Sequence, residues 1–235
     1  MLVASLIVGI AICFGVPIVG LVLLMRKRRG AGKAFALGAA AFVVSQLLIR
    51  IPVLQLVLPN FGWFAVMQLY PWGYGLFLGL TAGLAEETAR WIAARYLLKG
   101  KDTMEHGLAF GLGHGGIEAM LLVGLNMIAG VVMVLAGQAE LLGTTGASVL
   151  VSGAERLSAM AFHVGASLLV MYGVRTGRSA LYWALAVILH GVLDAAVVIL
   201  PAVFGVGVLG IELWAAALGG LTLAAGICAC RRKGA

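Results

Sequence analysis

Long apolar runs alternate with short polar connectors along the whole chain. Seven can be marked, at roughly 2–25, 34–58, 72–98, 106–136, 153–174, 179–200 and 204–229. Each reaches the roughly 20 residues that an α-helix needs to cross a bilayer. The fourth is the longest and is expected to tilt or to extend past the hydrocarbon. The pattern predicts an all-α, polytopic transmembrane bundle of about seven helices. Residues 1–235 form a single transmembrane domain, and the unusual residues fall within about 72–200. The connectors differ in character. Residues 59–71 and Trp72 carry Pro59, Trp63, Tyr70 and Pro71, an aromatic belt at headgroup level. Residues 137–152 are rich in Gly, Ser and Thr and read as a flexible connection.

Composition agrees with a membrane protein. Hydrophobic residues make up 63% of the chain and charged residues 11%, with a mean hydropathy of +1.10. A soluble domain of this length could not hide that much apolar surface. The net charge of +7 could point to nucleic acid, but no aromatic and basic interleaving supports that, so nucleic acid is excluded as a partner. The basic residues instead sit in the connectors. Arg26, Lys27, Arg28, Arg29 and Lys33, then Lys99 and Lys101, Arg175 and Arg178, and Arg231, Arg232 and Lys233 all fall on one side of a seven-span chain. The positive-inside rule then predicts an outside N-terminus and a cytoplasmic C-terminus. The expected location is a prokaryotic plasma membrane. The first run has no basic start and its positive charges follow it, unlike a signal peptide. Cys13, Cys228 and Cys230 lack ligand spacing and read as packing residues.

Against this background a few ionisable residues stand out in mid-run: Glu86, Glu87, Arg90, His114, Glu118, His163, His190 and Asp194. A charge at a helix centre costs roughly 2.5–3.5 kcal/mol on insertion scales. Glu86, Glu87, Arg90, Glu118 and Asp194 facing lipid separately would cost about 12–17 kcal/mol, as much as the net stability of a typical fold. They are expected to converge, and their depths agree. Glu87 is twelve residues from Lys99, His114 thirteen from Lys101, His163 twelve from Arg175 and His190 twelve from Arg178. At 1.5 Å per residue all four lie about 18–20 Å from the basic edge, near mid-membrane.

Local spacing adds detail. Glu86 and Arg90 are four apart and share a helix face, so Arg90 can hold one carboxylate ionised while the other does chemistry. His114 and Glu118, again four apart, lie in a run containing Gly113, Gly115 and Gly116 that leaves room beside the imidazole. His190 and Asp194 repeat the spacing, so Asp194 can orient the ring, ligate a metal or accept a proton. Gln46, Arg50 and Gln55 read as residues of the outer half of the second run that snorkel. Glu155 and Arg156 read as a pair at the outer mouth of the fifth. Glu212 has no evident role.

The motifs Glu86-Glu87-Thr88-Ala89-Arg90, His114-Gly115-Gly116-Ile117-Glu118, Phe162-His163 and His190 with Asp194 resemble those of YhfC-type intramembrane metalloproteases. That family is in turn similar to the type II CAAX prenyl endopeptidases, the bacteriocin-processing enzymes and the PrsW-type membrane proteases. The resemblance implies an intramembrane endopeptidase acting on a membrane-embedded or lipidated peptide. It implies that Glu86 or Glu87, with His114 or His163, activates water, and that His190 with its i+4 partner faces the oxyanion. The CAAX branch has Asn at that last position and this chain has Asp194, which cannot donate when ionised. Zinc held by His114, His163, His190 and Glu87 is one possible chemistry, and Glu-activated water without metal is the other. Buried His and carboxylate chains also serve proton- or ion-coupled transporters and channels, or simply hold helices together.

Overall fold

The computed structural model describes residues 1–100 and 103–231, so the basic markers Lys101, Arg232 and Lys233 lie outside the described residues. The described chain is helical, with no strand in it. Its helices are α1 (Leu2–Lys27), α2 (Ala31–Asn60), the short α3 (Gly62–Met67), α4 (Pro71–Ile92, continued by a wide turn Ala93–Leu97), α5 (Met104–Leu135), α6 (Gly146–Arg175), α7 (Ser179–Phe204) and α8 (Val208–Arg231). Six of these, all but α3 and α4, are long and apolar enough to span a membrane. The protein is an all-α polytopic bundle. Helix α4 is just as long, but carries Glu86, Glu87 and Arg90 near one another, which lowers its apolarity. Counted as a span, it gives the expected seven.

The connectors are more ordered than composition predicts. Part of the aromatic belt is α3, and a single 3-10 turn, Ala139–Leu142, lies in the Gly/Ser/Thr-rich connection. Helix α6 begins at Gly146, where Thr145 accepts from the Ser148 backbone N–H at 3.1 Å.

Neighbours in sequence run antiparallel, which fixes two ends. Met1, residues 61–70, the 136–145 connector and Gly205 lie at one end; the turns containing Arg28–Gly30, Gly100 and Thr176–Arg178 lie at the other. Helices meet where glycine removes a side chain. A Cβ on Gly113 of α5 would collide with the Phe35 carbonyl of α2, and one on Gly79 of α4 with the Gly191 carbonyl of α7. A Cβ on Gly111 of α5 would likewise collide with Val164 of α6, and α2, α4, α5, α6 and α7 surround the bundle centre. Leu48, Leu56, Leu135, Leu209 and Leu221 project outwards and are exposed, as a lipid-facing belt should be.

Several helices contain wide, π-type turns. In α2 this turn spans Val43–Arg50, just before Pro52. Proline has no N–H to give the carbonyl four residues earlier, so the helix rewinds there. The rewound turn carries Gln46 and Arg50 inwards.

Candidate metal and catalytic centre

The polar residues form one buried network. Glu86, Glu87, Arg90, His114, His163 and His190 are each no more than 4% exposed. From α4, Glu86 Oε2 meets His114 Nε2 of α5 at 2.7 Å, and its Oε1 accepts from the Gln46 amide and lies 3.7 Å from His190 Nε2. Glu87 points elsewhere. It takes a two-pronged contact from Arg90 (2.8 and 3.2 Å) and accepts from His190 Nδ1 at 2.9 Å. Of the two carboxylates that Arg90 could hold, it takes Glu87 at i+3 and not Glu86 at i+4. Both spacings share a face, and the partners across the helix interface decide between them.

Arg90 ties α4 to α6. It donates to the His163 carbonyl at 3.1 Å, to Ser167 Oγ, and to His163 Nδ1 at 3.0 Å. A guanidinium only donates, so His163 Nδ1 is the acceptor there and neutral His163 carries its proton on Nε2. That nitrogen lies 2.7 Å from Glu118 Oε2, at ion-pair distance though off the line of a hydrogen bond. Glu118 Oε1 in turn holds Arg156 at 2.9 Å, and Arg156 also pairs with Glu155. By the same reasoning His190 donates from Nδ1 to Glu87, and in its neutral form turns the Nε2 lone pair towards Glu86 and Asp194. Asp194 is 3.7 Å from that nitrogen, too far to orient the ring, so the orienting carboxylate is Glu87 and not Asp194. The rings of His114 and His163 lie 4.6 Å apart, and those of His163 and His190 5.5 Å.

Two residues read as snorkelling belong to this network instead. Gln46 is 5% exposed; its amide donates to Glu86 and its carbonyl accepts from Arg50 at 3.1 Å. Arg50 also donates to the Leu78 carbonyl at 2.7 Å and to Thr81 Oγ1 at 3.2 Å. Gln55 is exposed, as expected. Arg156, read only as Glu155's partner, reaches the site through Glu118. Glu212 is only partly exposed on α8, and none of the described residues pairs with it.

A cavity of about 260 Å³ opens from this network, lined by Gln46, Glu86, Glu118, Arg156, His163, His190 and Asp194 among others. At about 30 Å³ per molecule it holds roughly eight waters or a short stretch of peptide backbone. On four helices it continues in the same direction. Beyond the site residues it follows Ile51 on α2, Leu122 on α5, Ser158 and Ala159 on α6, and Val197 on α7. All of these lie towards the end that holds the 136–145 connector. The opposite side is closed by Arg90, Phe110 and Ser167, none more than 1% exposed.

The donor set suits a divalent metal. Glu86, His114 and His163 each offer a ligand atom, all within 4.8 Å of one another, and all three side chains are buried. One carboxylate and two imidazoles from three helices form an N/O set of the type zinc takes in catalytic sites. His114 Nδ1 is buried without a partner, so the network is incomplete on protein atoms alone. The carboxylate of this three-residue group is Glu86. Glu87, expected as the ligand, has both oxygens engaged by Arg90 and His190, and His190 stands beside the three-residue group. Ligation through His163 Nε2 requires its proton to move to Nδ1 and Arg90 to turn one N–H away.

The model of the YhfC intramembrane metalloprotease family matches residues 12–145 and 133–219, nearly the whole chain. This chain belongs to that family. The uncharacterized membrane protein YhfC of Bacillus subtilis (strain 168) is 35% identical over 215 residues, covering 80% of this chain and 81% of the relative. No solved structure matches. In this YhfC-family chain the Glu/His/His group sits inside the matched region, on helices α4, α5 and α6.

Proposed function

We propose that this protein is a metal-dependent intramembrane peptidase that hydrolyses a peptide bond within the bilayer. The observation that carries the reading is the convergence of Glu86, His114 and His163 beside a cavity of about 260 Å³ in the bundle centre. Those three residues would hold the metal, with zinc the best match to the donors. Bound there, it would acidify a water molecule and polarise the scissile carbonyl.

The chain's own residues supply the remaining chemistry. Asp194 lines the cavity with a side chain 39% exposed, and no donor among the described residues hydrogen-bonds it. It is the free base that can take a proton from water. His190, held by Glu87, is placed to pass a proton to the leaving amine. Arg156 faces the same cavity and can steady the oxygen of the carbonyl under attack. Arg90 and Ser167 seal the end nearer the basic turns. With those turns cytoplasmic and the N-terminus outside, a membrane-embedded or lipidated peptide reaches the site from the outer half of a prokaryotic plasma membrane.

The test uses purified full-length protein in liposomes with a panel of transmembrane peptides, products being read by mass spectrometry alongside elemental analysis. Cuts inside the apolar stretch are expected. Glu86→Gln should lose both activity and metal, whereas Asp194→Asn should lose activity and keep metal. Full turnover in both variants would overturn the reading. Ion flux through the liposomes that depends on His114 and His190, without proteolysis, would favour a transporter.

A further inference from the structure

The basic turn between α1 and α2 forms a second site, unconnected with the catalytic network. Lys27, Arg28 and Arg29, with Gly100 and His106, line an open pocket of about 420 Å³. The turn is pinned in place. Gly30 adopts a left-handed conformation (φ 90°). His106, 3% exposed, donates from Nε2 to the Arg29 carbonyl at 3.1 Å and accepts at Nδ1 from Thr103 Oγ1 at 3.1 Å. The three basic side chains are exposed around this fixed backbone, with Arg26 and Lys33 adding to their charge and Glu105 of α5 offsetting one unit.

Lys27 also lines a different space. An apolar cleft of about 500 Å³ runs between α1, α5, α6 and α8, past Leu24, Leu112, Ala161, Val164 and Leu223. Its lining is almost wholly hydrocarbon, and it meets the basic pocket at Lys27. A cationic pocket joined to an apolar cleft has the layout of one lipid: a phosphate at the polar end and an acyl chain beneath it. Three clustered cations select an anionic headgroup over a zwitterionic one.

We propose that this pocket and cleft bind a single anionic phospholipid, its phosphate held by Lys27, Arg28 and Arg29 and one acyl chain lying along Leu112 and Val164. The site stands apart from the peptidase reading and survives its failure.

Native mass spectrometry of the purified full chain tests it, with equal amounts of phosphatidylglycerol and phosphatidylcholine of matched chains. One phosphatidylglycerol is expected to remain bound in preference to phosphatidylcholine. Binding should fall roughly fivefold per charge removed in the Lys27→Gln/Arg28→Gln/Arg29→Gln series, since each basic residue near a surface contributes about that factor. Arg178→Gln, an exposed cation on another turn, should leave binding unchanged. Filling the cleft with Ala161→Phe should weaken binding with the basic pocket intact. Equal retention of the two lipids, or a triple variant that binds like wild type, would overturn the proposal. So would displacement of the lipid by inorganic phosphate at equal concentration, which would make the ligand a free anion and leave the cleft without a role.

Discussion

Replacing Arg90 by Met tests whether the buried network is held by charge. The side chain is 0% exposed, and it contacts both oxygens of Glu87, the His163 carbonyl, His163 Nδ1 and Ser167 Oγ. Methionine keeps much of the volume and none of the donors. Glu87, also 0% exposed, would be left with only His190 at 2.9 Å. Breaking a buried pair by removing one partner costs about 3–5 kcal/mol, because the other charge stays uncompensated. The His163 carbonyl keeps the Ser167 hydroxyl as a donor at 2.7 Å, so that loss adds little. For a chain of this size each kcal/mol moves the melting temperature by about 2–4 °C, which gives a drop of roughly 6–20 °C. The assay is loss of monodisperse protein on heating in detergent, followed by size-exclusion fluorescence.

The second variant separates charge from packing. In Glu87→Gln/Arg90→Met the orphaned carboxylate is gone, and only ordinary unsatisfied groups remain, worth about 1–3 kcal/mol. The double variant should therefore melt above the single Arg90→Met. Arg90→Lys should fall between wild type and Met, since an ammonium cannot reproduce the two-pronged contact. A double variant no more stable than Arg90→Met, or an Arg90→Met melting within 2 °C of wild type on the scale used above, would refute the reasoning.

Other outcomes follow from the same geometry. Gln46→Leu removes the donor on Glu86 Oε1 without replacing a proposed ligand; metal affinity should fall about 10–100-fold, measured by competition with a chromogenic chelator. Stripping the metal should lower the melting temperature, by an amount equivalent to about 2.7 kcal/mol where free metal had stood at 100 times its Kd, and zinc should restore it. Gly113→Ala should destabilise by about 1–3 kcal/mol, because the new methyl meets the Phe35 backbone, whereas Gly220→Ala, with open space around it, should be neutral or gain up to about 1 kcal/mol in the same melting assay.

Which parts of this site are legible in the sequence depends on the length scale of the question. The spans are legible because roughly 20 apolar residues leave few alternatives, and the shared depth of Glu87, His114, His163 and His190 follows from counting along straight helices. Choosing between Glu86 and Glu87 needs finer information. The two differ by about 100° around α4, and each could meet Arg90, four residues on from Glu86 and three from Glu87, or a partner across an interface. Cross-helix contacts settle it: His114 and Gln46 take Glu86 and His190 takes Glu87, which leaves Arg90 of the same helix to pair with Glu87. The His190 contact depends on how closely α4 approaches α7 at Gly79, which spacing alone does not encode. Gln46 and Arg50 pose a different problem. A regular helix ending near the headgroups lets an arginine reach water, and snorkelling then follows. Here the wide turn before Pro52 changes the face that Val43–Arg50 presents, and the Leu78 carbonyl, Thr81 and Gln46 take up the guanidinium inside the bundle. Proline eight residues or fewer beyond a polar pair in an apolar run is thus a reason to doubt the 3.6-residue register across it. Any polar residue within that stretch is better read as facing the protein until its partners are known.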